Sequence, residues 1–410
     1  TNPPYLNKMN STLKKYVKKH YKDYSADLFS VFIWHNINMT KVNGYAGYMT
    51  PFVWMFIKSY EKLRTALLSN VKIDSLIQLE YSAFEEATVP INTFVLKNTK
   101  NDETGTYLRL SDFKGGMMIQ AEKVQEAIAD PGVKYLYRTN QTNFKKLPGT
   151  PIAYWASAKL IHVFTVSTPI GELWPAQRGL TTGNNAIFLR YWWEPSFDNI
   201  GRDKAPENAQ LTNCKWFPYN KGGTFRRWYG NRELVVNYWK NGECISQYGE
   251  KSGRTFGFQG SAYYFQAGIT WTALTSSKNS FRYSPEGSIF DSNKGPMMFP
   301  DKERLYYVLG LLSSKVSGLV FSILNPTISL QNGDVNSFPY IFQEDSRIIP
   351  YVKTAIKLVK LDWDATERSW DFSFHPLFIA EHNPLTIWLI LLFTCLIRIT
   401  SSPPSQTMAT

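Results

Sequence analysis

Thr1-Asn2-Pro3-Pro4-Tyr5 opens the chain, and the reading of everything after it turns on these residues. The paired prolines fix φ and remove two backbone donors, so the turn is stiff and its carbonyls stay free. The Asn2 side-chain oxygen and the Pro3 carbonyl can then accept both hydrogens of one exocyclic amine. The Tyr5 ring offers a flat face on which a planar base can stack. This set suits transfer of a methyl group to a purine amino nitrogen. Two acceptors hold that nitrogen nearer sp³, which frees a lone pair otherwise delocalised into the ring. The ordinary alternative is a Pro-Pro turn beside an Asn. By average residue usage the tetrapeptide arises in roughly one chain in a thousand of this length, so it carries weight only if its surroundings fit.

Next to the turn, residues 6 to 24 hold Lys8, Lys14, Lys15, Lys18, Lys19 and Lys22 against Asp23. Such a run either grips phosphate or is a solvated loop whose charge gives solubility. Ser25 to Asn36 reads as a buried helix with Ser25 at its N-cap, since Leu28, Phe29, Val31, Phe32, Ile33 and Trp34 are apolar almost all round. Tyr45 to Pro51 reads as a strand, and Thr50-Pro51 as the start of a helix reaching Leu68. Ile73 to Leu79 and Thr93 to Leu96 read as further strands. Strands alternating with helices predict an α/β sheet over residues 1–100.

Lys100 to Gly105 is polar and reads as a linker, with residues 101–170 as a mixed connecting region that includes a short helix over Ala121 to Ile128. From Gly171 helices become rare and aromatics dense, which predicts a β-rich, mixed α+β region over 171–345. Lys215, Lys221, Arg226, Arg227 and Arg232 are interleaved there with Trp216, Phe217, Tyr219, Phe225, Trp228 and Tyr229. Arginines on tight β-turns can follow a groove and reach base edges or phosphate. The alternative is a packed core whose Arg stems snorkel over the rings. Thr181 to Asn185 and Ser276 to Lys278 admit either DNA contact or simple turn formation. Leu305 to Leu324 reads as an apolar helix pair broken near Gly318, and 346–375 as a helical segment around the amphipathic stretch Tyr351 to Leu361. Residues 376–410 change character, as a shifted reading frame would make them. Their apolar run Leu385 to Ile397 falls short of the about 20 residues that a membrane span takes.

The whole chain has 410 residues, enough for two or three domains, and a net charge of +12. That charge fits a polyanionic partner, or a merely soluble basic protein. Cys214, Cys244 and Cys395 are far apart and the five histidines lack ligand spacing, so no zinc, other metal or disulfide framework is expected. Cysteine usage points to a reducing compartment, and no signal peptide opens the chain.

Asn2-Pro3-Pro4-Tyr5, Asp27-Leu28-Phe29-Ser30, Gly44-Tyr45-Ala46-Gly47-Tyr48 and Ala83-Phe84-Glu85-Glu86 together resemble amino-group DNA methyltransferases that make N6-methyladenine. Gly179-Leu180-Thr181-Thr182-Gly183-Asn184-Asn185, Lys215-Trp216-Phe217-Pro218-Tyr219 and Trp271-Thr272-Ala273-Leu274 resemble one branch of these, the PglX-type enzymes of BREX phage-defence systems. The resemblance covers residues 1–375. It implies the second half of a Rossmann-like methyltransferase sheet in 1–100 and a target-recognition region in 171–345. It implies Asn2, Pro3, Pro4 and Tyr5 as the catalytic loop, Phe84 as the second ring stacked on a flipped adenine, and a cofactor contact at Asp27 beside a helix start. Lys14, Lys15, Lys18, Lys215, Lys221, Arg226, Arg227 and Arg232 are then the candidates for holding double-stranded DNA. The methyl donor would be S-adenosylmethionine. The Gly-rich loop that binds it in such enzymes precedes Asn-Pro-Pro-Tyr, so the chain reads as a fragment, with a bacterial cytoplasmic location and other defence proteins as partners. Three other readings stand beside this one. They are a DNA-binding module without catalysis, a protein-glutamine methyltransferase, and a restriction enzyme whose nuclease lies outside this chain.

Overall fold

In the computed structural model, which describes residues 1–81, 89–100, 103–202, 213–274, 280–327 and 329–375, the first helix forms within the lysine run. Ser11–His20 (α1) starts where the Asn10 side chain accepts from Leu13 N at 2.9 Å. The run expected as basic loop is thus partly helix, with Val17 buried and Lys14, Lys15 and Lys18 exposed. The chain divides into two compact units, Thr1–Ser167 with Ser322–Pro326, and Thr168–Phe321 with the residues from Thr327 onward.

The first unit is built on a five-stranded sheet. Its strands are Tyr45–Pro51 (β1), Lys72–Gln78 (β2), Ile91–Lys97 (β3), Thr104–Arg109 (β4) and Leu136–Asn140 (β5), in the order β1-β3-β2-β4-β5. β3 runs antiparallel to both β1 and β2, and β2 is parallel to β4. Leu28–Met39 (α2) and Glu61–Asn70 (α3) cover it, packing Phe29, Ile33, Leu63 and Leu67 on Leu76, Phe94 and Leu96. Each such side chain contributes roughly 1.5–3 kcal/mol on burial. Gly116–Ala129 (α4) and Ala158–Val166 (α5) complete the helices of this unit.

Three expectations change here for identifiable reasons. Ser25 does not cap α2, because its hydroxyl donates back to Lys22 O at 2.8 Å. Asp27 caps it instead, accepting from Phe29 N in a capping box completed by Ser30. No continuous helix runs from Pro51 to Leu68. Two 3₁₀ turns, Phe52–Met55 and Lys58–Tyr60, precede α3. The buried Arg64 guanidinium donates to the Trp54 and Ile57 carbonyls at 2.8 Å each, and Ile152 N donates to Met55 O, tertiary bonds that hold this segment in its turns. Finally, the sheet crosses the expected boundary near Lys100. β4 pairs with β2 and β5 with β4, which places residues 104–140 in the same unit as residues 1–100.

The second unit is β-rich. One sheet has the order Ile289–Phe290, Trp216–Asn220, Leu234–Asn237, Leu189–Tyr191, and another Phe281–Ser284, Gly268–Trp271, Met297–Met298. Phe217, Tyr219, Val236, Ile245, Phe290 and Met297 share a core. Gly179 lies so near the sheet that a Cβ there would meet Phe290 O at 1.9 Å. The Asn241-Gly242 turn forms, with φ of 58° and 82°, but it leads into a helix, Trp239–Ser252, that the sequence reading lacks. The apolar helix pair breaks at Ser314, not Gly318. Lys302–Ser313 and Lys315–Leu324 bend by 74°, and Ser314 Oγ accepts from Ser317 N at 3.3 Å, capping the second helix. Among the described residues no single helix is long and apolar enough to cross a membrane. Ile348–Asp364 forms a helix, longer at both ends than the amphipathic stretch that predicts it.

Candidate active site and nucleic-acid surface

The opening turn is fixed at both ends. Thr1 N donates to Gly47 O at 2.6 Å and Thr1 O accepts from Met49 N at 2.9 Å, the two bonds of a parallel bridge onto β1. At the other end Leu6 N donates to Asp27 Oδ1 at 2.8 Å, and Leu6 O accepts from Leu28 N at 3.2 Å. The turn therefore hangs between a strand edge and the N-terminus of α2. Pro3 is buried, while Asn2, Pro4 and Tyr5 are exposed.

Within the turn, Tyr5 Oη donates to Asn2 Oδ1 at 3.0 Å, with Met49 O a second acceptor at 3.4 Å. A carbonyl oxygen has two lone pairs, so Asn2 keeps one for another donor. The Pro3 carbonyl accepts from no described residue. Phe29 meets the Tyr5 ring edge-on at 6.2 Å, so it contacts the ring without stacking on it. Burial raises the Tyr5 hydroxyl pKa above its ordinary value. Asp27 is 7% exposed and one carboxylate oxygen serves both Leu6 N and Phe29 N. Its visible task is to hold the turn against α2.

Phe84 lies outside the described residues, as do Ser276, Ser277 and Lys278. The root of the Phe84 segment is anchored by buried Glu80, whose Oε1 accepts from Gly116 N at 2.5 Å at the start of α4.

The candidate DNA-contacting residues separate sharply. Lys14, Lys15 and Lys18 project from α1 into solvent, in the same unit as the opening turn. Lys215 is exposed over the Trp216 ring, and Lys221 is half-buried at a cavity wall. Arg226 instead pairs with Asp362 at 3.0 Å and lies over Trp363. Arg232 is buried between the Tyr229 and Trp370 rings, 5.6 and 5.0 Å from their centroids. Arg227 is half-buried over Phe225. All three arginines thus lie over rings, and Arg226 is ion-paired as well. Sequence reasoning missed Arg282, fully buried with its pKa lowered to about 10 by desolvation, and Lys294. The signal for Lys294 is the turn Asp291-Ser292-Asn293-Lys294-Gly295, in which Asp291 caps the backbone two and three residues on.

With this geometry in place, comparisons with known proteins are specific. The family model described as Eco57I restriction-modification methylase matches residues 1–84. The adenine-specific methyltransferase PglX of Lacticaseibacillus casei (strain Zhang) is 38% identical over 398 residues, covering 93% of this chain and 32% of that protein. The adenine-specific methyltransferase BrxX of Escherichia coli O9:H4 (strain HS) is 33% identical, covering 93% of this chain and 30% of that protein. Among solved structures, the Type IIL restriction-modification enzyme MmeI in complex with DNA aligns with 99% of this chain and 55% of its own, at 12% identity and a TM-score of 0.57. That last likeness concerns the fold alone. The chain spans about a third of the length of the curated relatives, and over that third it belongs to the PglX-type family of adenine-specific methyltransferases.

Proposed function

We propose that this chain is the base-holding and DNA-reading part of a site-specific DNA adenine-N6 methyltransferase of bacterial phage defence or restriction-modification. The observation that carries the reading is the suspended Asn2–Tyr5 turn, which combines a Pro3 carbonyl without a donor among the described residues, a half-used Asn2 oxygen and an exposed aromatic ring. In that reading the target adenine leaves the duplex, because its amine is unreachable within the stack. Asn2 Oδ1 and Pro3 O accept its two amino hydrogens, and Pro4 keeps their spacing rigid. Tyr5 gives up its bond to Asn2 and turns a ring face to the base, with Phe84 on the opposite side. S-adenosylmethionine supplies an electrophilic methyl group. The amino nitrogen then loses its proton to water, with no general base required from this chain.

The fit of this chain to the donor is one-sided. Asp27 Oδ1 is engaged by Leu6 N and Phe29 N, so a cofactor contact at Asp27 would fall to its other oxygen. The order β1-β3-β2 with β3 antiparallel, and the parallel bridge from Thr1 to β1, support reading residues 1–100 as the second half of a Rossmann-like sheet. Residues 171–345 are the target-recognition region. Double-stranded DNA is the partner, held by Lys14, Lys15 and Lys18 of α1 and by Lys215 and Lys221. The other proteins of a defence system are further partners, in the bacterial cytoplasm. The test is Asn2→Ala in the full-length enzyme. Methyl transfer to duplex DNA is abolished while duplex affinity is kept. Full transfer by that variant overturns the catalytic assignment.

A further inference from the structure

Strands Trp216–Asn220 and Ile289–Phe290 run parallel, with Asn220 opposite Phe290, so both chains leave their sheet at the same end. They deliver Lys221 and the loop Asp291–Lys294 side by side. Asp291 N donates to Asn220 O at 2.9 Å. Gly222 has φ of +86°, and a Cβ there would sit 2.6 Å from Lys294 O, so only glycine allows this approach. Lys221 and Lys294 both line a cavity of about 280 Å³ with Thr181, Thr182, Asn185 and Ser292. Both also line a second cavity of about 340 Å³ beside it.

In the first cavity the two ammonium groups face a single carboxylate, while Glu233 adds a second carboxylate to the other cavity. Asp291 supplies the carboxylate of the first cavity, but Oδ1 accepts from Asn293 N and Lys294 N, and Oδ2 from Tyr219 Oη. Neither lysine is in an ion pair with a described residue. Burial lowers the Lys221 pKa; Asp291 opposes this and Lys294 adds repulsion. Two ammonium groups with hydroxyl and amide donors around them make a site for an anion.

We propose that Lys221 and Lys294 form a clamp for one or two backbone phosphates of a nucleic acid lying across the second unit. This rests on the DNA-binding reading above and adds to it Lys294 and a location. A phosphate between the two cations relieves their repulsion. The contact is to backbone, so it positions DNA without reading its sequence.

The test is fluorescence anisotropy of labelled duplexes over a salt series with the wild-type chain, Lys221→Gln, Lys294→Gln, the double variant, and Lys251→Gln as a control away from the cavities. Each phosphate contact contributes about 0.9 to the magnitude of the slope of log K against log salt, so the double variant lowers it by about 1 if the lysines share one phosphate and by about 2 if each holds its own, and each single variant lowers it by up to about 1. The loss is equal on unrelated duplexes, and Lys251→Gln leaves the slope unchanged. Lys294→Arg restores it, which separates lost charge from a damaged fold. Inorganic phosphate at millimolar concentration does not displace the duplex at constant ionic strength; displacement identifies a site for free phosphate and overturns the clamp. A wild-type slope in the double variant, or a loss confined to one sequence, also overturns it. A wild-type chain that binds no duplex overturns both the clamp and the DNA-binding reading.

Discussion

Replacing Asp27 with alanine tests the suspension of the Asn2–Tyr5 turn. The side chain makes two bonds to backbone, to Leu6 N at 2.8 Å and Phe29 N at 3.3 Å, and is 7% exposed. Loss of an N-cap costs about 1 kcal/mol. Leaving the Leu6 N–H without an acceptor adds roughly 1–3 kcal/mol, according to how far water can reach it. The sum is about 3 kcal/mol, which for a unit of this size corresponds to a fall in Tm of roughly 6–12 °C. Asp27→Asn keeps an acceptor oxygen and remains a good cap, so it costs about 1 kcal/mol or less. Urea unfolding of the three proteins, followed by tryptophan fluorescence, measures both differences. In the full-length enzyme, Asp27→Asn retains most of the methyl transfer, since it restores the turn without restoring the charge. A cost below about 0.5 kcal/mol for Asp27→Ala refutes the account of how the turn is held. Loss of transfer by Asp27→Asn with unchanged stability returns the residue to direct cofactor contact.

Two further predictions separate structural from DNA-facing residues and test the fit of single glycines. Arg232→Met removes two buried donors, Nε and Nη1, that lack partners, along with the contacts to the Tyr229 and Trp370 rings. These effects oppose each other, so stability changes by about 1 kcal/mol or less and duplex affinity stays within twofold. A fall in the salt slope by about 1 shows instead that the guanidinium reaches DNA. Gly179→Ala places a methyl group against Phe290 O and destabilises the second unit by about 1–3 kcal/mol. Gly318→Ala meets nothing within 4 Å and lies in a helix, so it stabilises by about 0.5–1 kcal/mol. Chemical denaturation reads both, and equal effects at the two positions contradict the packing described for them.

The sequence by itself determined what depends on local chemistry. The stiffness of Asn2-Pro3-Pro4-Tyr5 and the strand character of the segments that form β1, β2 and β3 follow from residue types at short spacing, and the family from the resemblance of several motifs. Helix starts were less legible. Ser25 and Asp27 both have the chemistry of a cap, and the choice went to Asp27 because Leu6, far back in the chain, also needs its oxygen. The same holds after Pro51, where the distant Arg64 side chain ties the Trp54 and Ile57 carbonyls into two turns.

Tertiary structure alone decided which basic residues remain for a polyanion. Lys221, Arg226 and Arg232 look alike in a run of rings and turns. Folding brings Asp362 to Arg226, and Tyr229 and Trp370 to Arg232, while it brings a second lysine to Lys221. The physical reason is that a charge is defined by its partners. Asp362 lies 136 residues from Arg226, and no local pattern encodes contacts at that separation.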